Sequence, residues 1–143
     1  MDSLPDLQEH ASGDSEVSAK KYFCIAGVPV SGKNSSRIMF NKKTKSRFVI
    51  KSKAAAAWQA DAIRQLTEQR KGTNRNTLRG NIYVEYRAYQ KSDRCDIDNI
   101  EAALFDALKK AKVIEDDKNI VDHRGQKFIS ENPRIEIELL EVA

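Results

Sequence analysis

NIYVEYRAYQKSDRCDIDNIEAALFDALKKA, residues 81–111, changes its hydrophobic period half-way along, and that change decides the fold. In the first part Ile82, Val84, Tyr86 and Ala88 alternate onto one face. A two-residue repeat of this kind marks a strand half buried against helices. In the last part Ile100, Ala103, Leu104, Ala107, Leu108 and Ala111 recur at i, i+3, i+4, i+7, i+8 and i+11. That is the apolar stripe of an amphipathic helix over about Asn99 to Ala111. Between the two lies Arg94-Cys95-Asp96-Ile97-Asp98-Asn99, so the strand runs straight into two aspartates from which the helix departs.

Working outward, Tyr22 to Val30 reads as a strand stopped by Pro29 and Ser31-Gly32. Ile38-Met39-Phe40 and Arg47-Phe48-Val49-Ile50 read as a hairpin around Asn41 to Ser46. Ser52 is placed to cap an alanine-rich helix reaching about Arg70, with Ala55, Trp58, Ala62 and Leu66 toward the core and Gly72 ending it. Ile120-Val121 suggests a short strand, and Arg134 to Leu140 a longer alternating one. The expected architecture is a single α+β domain, with a mixed β-sheet of about five strands and two main helices on one side.

The chain has 143 residues and a formal net charge of +4, and the charge is segregated. Residues 1–20 carry −4, residues 21–91 carry +13, and residues 92–143 carry −5. A block this basic points to an anionic partner. Residues 1–20, polar and acidic, read as a disordered tail ahead of a folded domain over 21–143. No apolar run is long enough to cross a bilayer, which excludes a helical membrane protein. Cys24 and Cys95 lie far apart and form no ligand motif, so free thiols in a reducing, cytoplasmic compartment are expected. Gly-rich phosphate loops, zinc patterns and Ser/His/Asp arrangements are absent from the sequence.

Asp96 and Asp98, spaced by two at a strand end, can aim their carboxylates the same way. Asp116-Asp117 follows the helix, and an antiparallel return would bring it back toward Asp96. Carboxylates so gathered suit one or two Mg²⁺ ions, which take oxygen ligands and keep several waters. Such ions polarise a phosphodiester and stabilise its leaving oxygen. A structural reading stands beside this one. Asp98 with Glu101 matches a capping box, and Asp116-Asp117-Lys118-Asn119 matches a polar turn.

From Arg94 to Lys127 the chain resembles the RusA family of Holliday junction resolvases. The resemblance lies in Asp96-Ile97-Asp98-Asn99, Ala103-Leu104-Phe105-Asp106-Ala107-Leu108, Asp116-Asp117, Ile120-Val121-Asp122 and Lys127, in order and without a gap. The resemblance implies a Mg²⁺-dependent, structure-selective endodeoxyribonuclease acting as a homodimer on branched DNA, in genes often carried by phages. It also implies that Asp96, Asp98 and Asp117 are the catalytic and metal-binding residues. Family members place a catalytic lysine four residues after the second aspartate, where this chain has Ala102. Impaired catalysis, an altered version of an active parent, and substitution by Lys109, Lys91 or Lys127 are the three accounts of that departure. The alternative function is a junction-binding protein without catalysis.

Lys33, Arg37, Lys42, Lys43, Lys45 and Arg47 lie in or beside the expected hairpin. With Lys127 they form the expected nucleic-acid-binding set, since clustered cations hold a phosphate backbone without reading sequence. Trp58 is expected in the core, and Phe105, off its helix stripe, in a dimer interface. Tyr83 and Tyr89 are expected in such an interface or against a base, and His123 without a role.

Overall fold

The computed structural model describes residues 17–30, 37–50, 53–73, 76–93 and 95–142. In chain order the strands are β1 (Val17–Ala26), β2 (Arg37–Asn41), β3 (Ser46–Ile50), β4 (Asn81–Gln90), β5 (Ile120–Ile129) and β6 (Arg134–Val142). The helices are α1 (Lys53–Thr73) and α2 (Ile97–Lys110), with a 3-10 turn at Asp117–Asn119. A four-stranded sheet in the order β1-β6-β4-β5 forms the body, and β2-β3 is a separate antiparallel hairpin. The sheet is mixed, because β4 pairs antiparallel with β6 and parallel with β5. The expected α+β class therefore holds, with the strands divided four and two.

Alternation places the core. Ile82, Val84, Tyr86 and Ala88 of β4 share one sheet face with Phe23 and Ile25 of β1 and with Ile135, Ile137 and Leu139 of β6. Trp58, Ala62 and Leu66 of α1 and Ile100, Leu104, Ala107 and Leu108 of α2 close over that same face in one cluster. Ile82, Val84, Leu66, Ile100, Leu104 and Leu108 are fully buried. Each such aliphatic side chain contributes about 1.5–3 kcal/mol by leaving water.

Four expectations shift. β1 begins at Val17, so the last residues of the expected tail join the sheet opposite Val142 and Glu141. It also ends at Ala26, because Gly27 takes φ 116° and turns its N–H to Pro133 O. The first sixteen residues and Ser52 lie outside the described residues. Helix α1 runs through Gly72 to Thr73. Ile120-Val121 opens a ten-residue strand rather than a short one. Its alternation is blurred because one edge lies against β4 while side chains on both faces stay partly exposed.

The outer edge of β1 is covered by α1 through two glutamines one helical turn apart. Gln69 accepts from Cys24 N at 2.9 Å and donates to Cys24 O at 2.6 Å. Gln65 accepts from Ala26 N at 2.8 Å and donates to Ala26 O at 3.0 Å. Four helical residues advance about 6 Å and two strand residues about 6.7 Å, so the two repeats match along the edge. A strand edge covered this way cannot template another strand. Replacing both Gln65 and Gln69 with alanine should lower unfolding free energy by about 2 kcal/mol in urea titration. Sedimentation should show association beyond that of the parent, growing with concentration.

Candidate active site

The backbone, not side-chain capping, sets the start of α2. Asp96 occupies the N-cap in extended conformation and makes no side-chain capping bond. Its carbonyl accepts from Asn99 N at 3.1 Å and Ile100 N at 3.0 Å. Asp98, in the first turn, accepts its neighbour's N–H, Asn99 N, at 3.0 Å. Both aspartates are exposed. The N-cap is Asp96 and not the Asp98 that the expected capping box requires, and Glu101 reaches across to β4 and β5. Lys127 ties down the connection before the helix, with Nζ 2.6 Å from Asp93 Oδ1 and 3.4 Å from Cys95 O. The bond to Asp93 raises the ammonium pKa of Lys127. Lys127, expected on DNA, also serves this loop within the fold.

Asp117 lies at the other end of α2. The helix closes with Lys112 in the left-handed region at φ 61°. Val113 N bonds Leu108 O at 3.0 Å and Lys112 N bonds Lys109 O at 3.0 Å, a Schellman ending made without glycine. The chain then pairs Ile114 with Leu78, ahead of β4, and enters β5 with Ile120 opposite Ile82. Asn119 donates to Arg79 O. Lys109 lies 3.8 Å from Asp116, whose carboxyl pKa is held down chiefly by the N–H of Lys118. Eleven helical residues separate Asp98 from Lys109, about 16 Å along the axis. The expected return of Asp116-Asp117 to Asp96 therefore does not occur within one protomer. The reason is that β5 runs parallel to β4, so the crossover must travel the length of the strands first.

The donor chemistry of Asp96 and Asp98 fits a hard divalent cation, which needs one or two carboxylates beside waters and substrate oxygens. The three-carboxylate set does not fit in one protomer. Among the described residues no group of three His, Cys, Asp or Glu side chains is gathered to hold an ion.

Beside Asp98 lies a cleft of about 220 Å³ lined by Tyr86, Ile97, Asp98, Glu101, His123 and Gly125. Glu101 Oε1 accepts from Tyr86 OH at 2.9 Å and lies 2.5 Å from His123 Nδ1. Burial first, and then this carboxylate, push the Tyr86 phenol pKa well above its ordinary value. Phe105 packs edge-on against Tyr86, with ring centroids 6.5 Å apart, and against His123 at 5.9 Å. His123 is thus tied to Glu101 within the fold, and Phe105, half buried, has its partners inside the chain. The signal was available, since β-alternation puts His123 on the same strand face as Gly125. The pairing of β4 and β5 that brings Tyr86 opposite Gly125 could not be read from the chain.

The other expected residues scatter. Ala102 is exposed on α2, and Lys91 is exposed beyond β4. Lys109 lies toward the other end of α2, beside Asp116. Lys42, Lys43, Lys45 and Arg47 are exposed on the β2-β3 hairpin, where Asn41 Oδ1 accepts from Lys43 N at 2.9 Å and shapes the turn. Arg37 belongs to β2, paired with Ile50, and Lys33 lies outside the described residues. Tyr89 stacks on Phe128 at 5.1 Å and carries Arg134 at 3.9 Å over its ring, so its face is taken intramolecularly. Trp58 is in the core as expected.

Residues 27–140 match the family model described as Endodeoxyribonuclease RusA. No curated protein matches the chain.

A Cβ at Gly125 would stand 2.2 Å from Tyr86 Cζ. Gly125→Ala should therefore displace the Tyr86 ring and cost about 1–3 kcal/mol in chemical denaturation. Near-ultraviolet circular dichroism should change with it while the helical signal persists.

Proposed function

We propose, from the premise that this chain belongs to the RusA endodeoxyribonuclease family, that it nicks Holliday junctions during DNA recombination and repair as a Mg²⁺-dependent, structure-selective nuclease. The exposed Asp96–Asp98 pair at the start of α2, inside the family match, is the observation that carries this reading. Asp96 and Asp98 would hold the ion, and Mg²⁺, when bound, polarises the phosphodiester. The resemblance adds Asp117 to the metal set. Given its distance within one chain, Asp117 serves the same ion only from a second protomer. A four-way junction is nearly two-fold symmetric, so a homodimer that cuts twice suits it, and a dimer would supply that protomer.

The hairpin cations Lys42, Lys43, Lys45 and Arg47, with Lys33 and Arg37 near them in sequence, supply the electrostatic grip on the backbone. Replacing Lys42, Lys43 and Lys45 with alanine should weaken junction binding and reduce the slope of log K against log salt by roughly 2–3. An unchanged slope in fluorescence anisotropy would remove the hairpin from the interface.

Ala102 makes catalysis by this chain weaker than a lysine-bearing parent would achieve. The second reading, a junction-binding protein without cleavage, rests on the same residue. Position 102 is one turn beyond Asp98 on the same helix face. Ala102→Lys should raise junction cleavage by roughly 10²–10³, with binding nearly unchanged. Asp98→Asn should abolish cleavage in the same gel assay. Tight binding by the parent with no product under any divalent metal would establish the binding-protein reading instead.

A further inference from the structure

We propose that His123, oriented by Glu101, is the proton acceptor for the water that attacks the phosphodiester in the Asp98 cleft. The proposal rests on the nuclease reading above and names a residue that reading does not use. It begins with the protons around Glu101. The Tyr86 hydroxyl, its pKa pushed up by burial, keeps its proton and donates it to Glu101 Oε1. We assign the proton of the 2.5 Å contact between that oxygen and His123 to Nδ1. Glu101 is then the acceptor of two bonds, and in the neutral ring Nδ1 carries the proton. The lone pair then lies on Nε2, at the opposite edge of the ring.

The ring cannot easily turn away. Phe105 packs against it edge-on, and Glu101 is itself held by Tyr86, whose ring has room because residue 125 is glycine. His123 nevertheless keeps half of its side chain exposed, and it shares its cleft with Asp98. A buried carboxylate that fixes a histidine tautomer while the other nitrogen faces substrate is an arrangement suited to general-base chemistry. Here the carboxylate has 22% of its side chain exposed, so it is shielded without being sealed.

The step balances without a further reagent. The water oxygen bonds to phosphorus while its proton passes to Nε2. The bond from phosphorus to the leaving ester oxygen breaks, and that oxygen takes a proton from solvent. His123 then releases its proton to water. Glu101 acts as a positioning residue throughout. The charged and titratable groups around the ring are Glu101 from α2, Tyr86 of β4 behind it, and Asp98 across the cleft. Lys127, four residues along β5 on the same face, is held by Asp93.

The test uses the full chain, a labelled four-way junction and Mg²⁺. His123→Gln should slow single-turnover cleavage by about 10²-fold, with junction affinity and melting temperature preserved. The ascending limb of the pH–rate profile should flatten in that variant, and added imidazole should restore part of the rate. Glu101→Gln should lose less rate. A His123→Gln protein that cleaves at the parent rate with the parent pH profile overturns the proposal.

A second measurement separates this from failure of the nuclease reading. His10 and His123 are the only histidines, so ¹⁵N-imidazole spectra in a His10→Ala background report His123 alone. The neutral ring should carry its proton on Nδ1, and the Nε2 signal should move when junction is added without Mg²⁺. A proton on Nε2, or a signal indifferent to junction, sinks the assignment even if the parent never cleaves.

Discussion

Packing of the α2 stripe against β4 governs the rest of this molecule. Ile100, Leu104, Ala107 and Leu108 are fully buried beneath the sheet face that Ile82, Val84, Tyr86 and Ala88 present. Once that face is covered, the helix must travel back along the strands, and β5 must enter beside β4 in the same direction. Everything chemical follows from where this crossover begins and ends. Asp96 and Asp98 stand at its start, Asp116 and Asp117 beyond its end, and Glu101 and Phe105 on the flank that overlooks β5.

The polar groups near the start of α2 divide their work in a way that composition does not reveal. Asp93 anchors Lys127, so one acid of this rich cluster is spent on holding the loop. Asp96 leaves its carboxylate out of the cap, although N-caps commonly use theirs. Glu101 turns inward to a phenol and an imidazole. Asp96, by contrast, keeps its carboxylate exposed and outside the helix cap. The Coulomb cost of crowding these carboxylates is eased by the N-terminal end of the helix dipole and by Lys127.

One edge of the sheet is closed from within the chain. β1 is closed by the Gln65 and Gln69 amides, which reproduce the bonds a further strand would make. The basic hairpin is separate from this sheet and pairs only its own two strands.

Periodicity alone located β4, α2, the hairpin and the core side of α1, because solvent imposes its pattern residue by residue. The Asp96–Asp98 pair was legible for the same reason, since it falls where one period gives way to the other. Three things needed the tertiary structure. The reach of β5 was hidden because a parallel edge strand with both faces partly exposed carries little alternation. The His123–Glu101–Tyr86 link was hidden because it joins residues as much as 37 positions apart through a strand pairing and a glycine gap. The separation of Asp117 from Asp98 was hidden because spacing along a chain says how far the helix runs, not in which direction the next strand enters. Local chemistry therefore settled which residues could act, and the parallel crossover settled which of them meet.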